Sequence, residues 1–205
     1  MENQNELDLG IIKRLYKKGF RLFSEWLQKL QELANAEPKC ADRYVGYAEC
    51  IIAFTKKNHH SLILDKLPKG YFFYNGDVHV KSKIHGGCRL IIGGRLTVED
   101  GIELSGEDYI KAKEIYTQTI TVYGNYASIK AEEINAQEAN VRDWARIWVD
   151  ILTAHVVNAR DNSYIRVYVE LNTQNLDVKD NAKIDGKVNI IQPSSNPQNG
   201  TQPAN

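Results

Sequence analysis

The sequence predicts a mainly β chain: a three-sided β-solenoid of six to seven coils, about 18 residues per coil, preceded by a small α-helical domain. Three observations carry this. Ile110, Ile129, Ile147, Ile165 and Ile184 recur at intervals of 18 or 19 residues. Between them, apolar or small residues fall in pairs with period two, the mark of very short strands. No proline occurs between Pro68 and Pro193, as expected where every strand is hydrogen-bonded on both edges.

A fixed period is sought before any motif, because it decides the architecture. From Ile129 the inward pairs are Ile129 and Ala131, Ile134 and Ala136, Ala139 and Val141. The next coil repeats them as Ile147 and Val149, Leu152 and Ala154, Val157 and Ala159. The coil from Ile165 carries one extra residue near Val169. Backwards, Ile91 and Phe73 serve as coil origins, each with one slip. Three short strands per coil make a triangular cross-section. No Phe follows Phe73, which suits a narrow interior. Arg142-Asp143, Arg160-Asp161 and Lys179-Asp180 end successive coils. Asp suits such corners, since it tolerates left-handed backbone and bonds its own main chain.

Three regions follow: residues 1–70, a helical N-terminal domain or cap; 71–191, the solenoid; 192–205, a disordered Pro-rich tail. Ile12, Leu15, Gly19, Leu22, Trp26, Leu30 and Leu33 recur at helical spacing, and that helix ends before Pro38. A second helix runs from about Ala41 to Lys57, and Pro68-Lys69-Gly70 marks a turn. The tail holds three prolines, no charge and no large apolar residue, so it buries no core.

Composition excludes more than it names. The 26 basic and 26 acidic side chains balance, so charge selects no partner, and nucleic acid is not expected. Lys13, Arg14, Lys17, Lys18 and Arg21 lie beside aromatic residues. Peripheral membrane contact through residues 11–27 is therefore a reading, less favoured than a solvated helix face over a core. The three cysteines show no metal spacing and read as thiols in a reducing compartment. The polar N-terminus is not a secretory signal, and the expected location is cytoplasmic.

The stretches SIKAEEINAQEANVRD, RIWVDILTAHVVNARD and NLDVKDNAKIDGKVNI resemble the bactofilins, polymer-forming bacterial cytoskeletal proteins. The resemblance covers the solenoid and tail. It implies a right-handed coil, which periodicity does not supply, and end-to-end self-association without nucleotide. The chain departs from that family at its front, where some 70 residues read as folded. A helical domain packed on that end would cap it, and open solenoid ends need caps.

No chemistry stands out. A glycine in every hexapeptide, as in the left-handed acyltransferase solenoids, is absent. His79 and His85 flank the first turn, beside Gly86-Gly87-Cys88, without an orienting group, and His59-His60 reads as an exposed pair rather than a metal site. Glu132 and Glu133 are read as pointing to opposite faces of one strand, so they form no acid/base pair. The expectation is a non-enzyme with no cofactor and no metal.

What remains is the outer surface, where stacking makes equivalent positions neighbours. Tyr126, Trp144, Arg146, Trp148, Tyr164 and Arg166 are the candidate partner-binding residues, of the types enriched at interaction hot spots. Two functions follow: a bactofilin-like self-assembling scaffold, or a soluble adaptor or inhibitor that binds a partner protein through the solenoid face.

Overall fold

A computed structural model of the chain describes residues 21–55 and 61–192. Helix α1 (Arg21–Ala36) ends at a 3-10 turn, Pro38–Cys40, and α2 (Ala41–Phe54) follows at once. Strands β1 (Leu62–Leu64), β2 (Gly70–Tyr74) and β3 (Val78–Val80) begin the coils. The next coil is β4 (Cys88–Ile92), β5 (Arg95–Val98) and β6 (Ile102–Leu104). After it come β7 (Tyr109–Lys111), β8 (Glu114–Thr117) and β9 (Thr119–Val122). Then β10 (Ser128–Val141), β11 (Arg146–Ala159) and β12 (Tyr164–Val178) each trace a whole coil. The last elements are β13 (Lys183–Asp185) and β14 (Val188–Ile190). All pairing is parallel, and the result is a solenoid of about 7 turns with about 18 residues per turn.

The coil has three faces. The first stacks β2, β4, β7, the starts of β10, β11 and β12, then β13. The second stacks β1, β3, β5, β8, the middles of the long strands, then β14. The third stacks β6, β9 and the ends of the long strands. Ile110, Ile115, Ile120, Ile129, Ile134, Ile147 and Leu152 are fully buried between the faces. Each such side chain contributes about 1.5–3 kcal/mol on leaving water. The extra residue near Val169 is a bulge: Val149 pairs Val167, but Ile151 pairs Glu170.

The corner before the first face is built by a column of left-handed residues. Gly106 and Gly124 have φ of 62° and 89°, and Asp143, Asp161 and Asp180 have 61°, 60° and 59°. The aspartates do not bond their own main chain, as the sequence led us to expect. Each reaches back one coil: Asp143 Oδ2 accepts from Gly124 N–H, Asp161 Oδ2 from Asp143 N–H, and Asp180 Oδ2 from Asp161 N–H, at 2.8–3.3 Å. The carboxylates thus satisfy backbone donors at the bend, where the strand ladder is interrupted.

The helices do two separate things. Helix α1 lies on the free edge of β2. Asn35 accepts from Tyr71 N–H at 2.9 Å and donates to Tyr71 O at 3.0 Å, while Gln31 Oε1 accepts from Phe73 N–H at 3.0 Å. Those backbone groups would otherwise be an open strand edge. Gly70, at φ 89°, lets this happen, because a Cβ there would lie 2.2 Å from Asn35 Oδ1. Helix α2 does not sit over the end of the coil. It crosses the outside of the first face, where its Ala48 and Ile51, together with Leu27, Leu30 and Ala34 of α1, bury Phe73 and Ile91.

That covering corrects the first two coil origins. The residues equivalent to Ile110 are Leu90 and Phe72, not Ile91 and Phe73. Where a helix covers the outside, both sides of the strand are apolar and alternation no longer says which side is in. Glu132 and Glu133 are also corrected. Both lie on the outside, because a corner places two successive residues outward between the buried Ala131 and Ile134. Cys88 faces the interior, where burial and then Asp108 push its thiol up to about 12, and His85 instead approaches Glu103 at 3.7 Å. The basic stretch 13–18, most of the membrane-contact segment 11–27, His59-His60 and the tail beyond 192 lie outside the described residues. No helix among the described residues is long and apolar enough to cross a membrane.

Candidate binding surface

Outward residues on the first face form two columns along the solenoid. One runs Phe73, Ile91, Lys111, Lys130, Trp148, Arg166, Asp185. The other runs Tyr71, Arg89, Tyr109, Ser128, Arg146, Tyr164, Lys183. The change from apolar to charged in the first column falls where α2 stops covering the face. Lys111 sits at that border and pairs with Glu49 of α2 at 3.1 Å. Tyr109 is there too, its phenol pushed up to about 12 by burial and then by Glu49.

Past the border, four of the six sequence-predicted residues stand together on the bare face. Arg146 is in register with Tyr164, and Trp148 with Arg166. The guanidinium of Arg146 lies 6.0 Å from the Trp148 ring centroid, and that of Arg166 lies 5.4 Å from Tyr168. Such stacking holds flat rings in place on a rigid surface. Tyr164 donates its hydroxyl to Asp185 at 3.0 Å, and burial with that bond raises its phenol. Arg166 pairs with Asp185 at 3.4 Å.

The other two, Tyr126 and Trp144, occupy equivalent places in adjacent corners leading into this face. They are 74% and 53% exposed, high for aromatic rings. Backbone bonds to the preceding coil fix both corners: Tyr126 N–H to Gly106 O at 3.2 Å and Trp144 N–H to Gly124 O at 3.3 Å. Sequence reasoning missed Tyr168, which follows the inward Val167 on the outer side of the strand and is 60% exposed. It also missed α2 as a wall of this surface. Val45, Glu49 and Ile52 fall at helical spacing on its side, and clefts of about 510 and 350 Å³ run beside them. Tyr126 and Ser128 border the first cleft, and Lys130, Trp148 and Tyr168 the second.

The two ends of the solenoid differ. At the start, α1 closes β2, β1 covers β3, Asp65 O accepts from Ser82 N–H at 3.2 Å, and Leu67 packs into the core. At the finish, among the described residues, nothing stacks on β13, β14 or the last part of β12. Val178, Val188, Ile190 and Ile191 are exposed there, and Leu176 and Ile184 are only partly buried.

Among the described residues no group of three or more His, Cys, Asp or Glu is arranged to hold a metal ion. The chain matches no family model, no curated protein and no solved structure.

Proposed function

We propose that this chain is a non-catalytic scaffold that self-associates through the C-terminal end of its solenoid. The observation that carries the reading is the inequality of the ends. Three unpaired strand edges beside exposed Val178, Val188 and Ile190 are a template for another β-structure. A second copy supplies the same edges and the same apolar side chains, so a two-fold joint is self-complementary. Self-association is also what the bactofilin resemblance implies. The closed first coil argues that such joining stops at pairs instead of running on as a filament.

The test is light scattering on the full chain at rising concentration. Pairs are expected, and Val178→Lys with Ile190→Lys should return single copies while leaving circular dichroism unchanged. A chain that stays single at all concentrations sinks the reading. Filaments seen by negative-stain microscopy would keep self-association and remove the role given to α1.

A second reading has its own support. Exposed Tyr126 and Trp144, with Trp148 held under Arg146, are the side chains of an adaptor face rather than of an inert wall. Preorganisation by the rigid coil lowers the ordering cost of binding there.

A further inference from the structure

On the first face α2 covers two strands, and among the described residues no helix covers the next two. Helix α1 closes the free edge of β2, and α2 lies outside β4 and β7. Neighbouring strands are about 4.8 Å apart, so two strands match the roughly 10 Å width of one helix. The next two strands are the starts of β10 and β11, which present Ser128, Lys130, Arg146 and Trp148. Helix α2 forms one wall of this step, with Val45 and Ile52 partly buried and still facing the clefts. At 1.5 Å per residue, the 14 residues of α2 give a wall of about 21 Å, three to four turns of a second helix.

Charge says what kind of helix fits. Glu49 is neutralised by Lys111, Glu132 lies 3.9 Å from Lys113, and Asp185 is held by Arg166. Lys130 and Arg146 form no ion pair among the described residues, and both are exposed on the floor. Asp150 stands at the end of the cleft beyond Trp148. The middle of the floor is therefore cationic and aromatic, beside an apolar wall.

We infer that this step binds an amphipathic helix of a partner protein, with an apolar stripe against Trp148, Val45 and Ile52 and carboxylates over Lys130 and Arg146. The inference rests on the second reading above, that the first face binds a partner. It extends the packing that already holds α2 on the solenoid, so the same ridges and spacing apply to the incoming helix.

The test uses the full chain and two labelled 16-residue synthetic peptides, each with a Leu stripe at helical spacing. One carries Glu on both flanks of the stripe, the other Lys. Fluorescence anisotropy should show the Glu peptide binding and the Lys peptide at least tenfold weaker. Trp148→Ala and Lys130→Glu should each weaken the Glu peptide tenfold or more, and rising salt should weaken it further. Gln137→Ala, at an exposed corner between the second and third faces, should leave it unchanged. No binding of the Glu peptide, or equal binding of both, overturns the inference. If Trp144→Ala alone abolishes capture of a host protein, the face still binds and only the helix assignment fails. If Trp148→Ala instead abolishes self-association, the occupant is a second copy and the inference also fails.

Discussion

The first and last halves of the first face share one inward pattern and differ only outside. Leu90 and Ile147 occupy the same kind of interior place, and both are fully buried. Their outward neighbours part company: Ile91 is buried under the helices, whereas Trp148 is only partly buried. One strand geometry thus serves as the middle of a three-layer stack and, a few coils later, as an outer wall. The difference shows that the solenoid's outer side chains, not its coil, decide what can lie on it.

The largest expected effect comes from substituting the covered and bare positions of a single column. Ile91→Ala should destabilise by about 2–4 kcal/mol, because a cavity opens between sheet and helix. Lys130→Ala, two places along the column, should change stability by less than about 0.5 kcal/mol. Urea unfolding of the two variants measures both. Equal effects would mean that α2 does not pack as described.

Alkaline pH separates the halves next. Cys88 is raised from 9.0 to about 12 and Tyr109 from 10.0 to about 12, both chiefly by burial, and both lie where the helices meet the first coils. A folded-state pKa above the unfolded one gives stability that is complete below the unfolded value and is lost as pH rises through the folded value. Stability should therefore hold to about pH 9 and fall between pH 9 and 12, with hydrogen exchange reporting the helices and β4 opening before β11. Cys88→Ala should flatten the early part of that fall and Tyr109→Phe the later part. A chain that opens from β11 first would break the comparison.

These contrasts also mark how far the sequence could be read. Coil length, the inward pairs from Ile110 onward, the bulge near Val169 and the Asp corners were legible, because solvent on one side keeps the period-two signal clean. Ile91 and Phe73 were misassigned because helices bury the outside there, and apolar doublets such as Phe72-Phe73 then fit either register. The Asn35 and Gln31 bonds to β2 were not legible at all. They join polar side chains on a helix to a strand some 36 to 42 residues away, and no local pattern announces that. The six surface residues were found from stacking alone, whereas the wall beside them needed the path of α2.

The smallest effect sharpens what the corners contribute in the bare half, where no helix among the described residues buttresses the coil. Asp161 combines a φ of 60° with a carboxylate accepting from Asp143 N–H at 3.2 Å. The two roles can be separated by substitution. Asp161→Ala loses the acceptor and forces a Cβ residue with no polar group into left-handed backbone, for a cost of about 1–2 kcal/mol. Asp161→Gly loses the acceptor but relaxes the backbone, so it should fall between Ala and the parent. Asp161→Asn keeps both the tolerance for φ > 0 and a carbonyl acceptor, and should lie within about 0.5 kcal/mol of the parent. Thermal unfolding of the three variants gives the order directly. If Asn is as damaging as Ala, the negative charge itself holds the column, because Asn preserves everything about Asp161 except that charge.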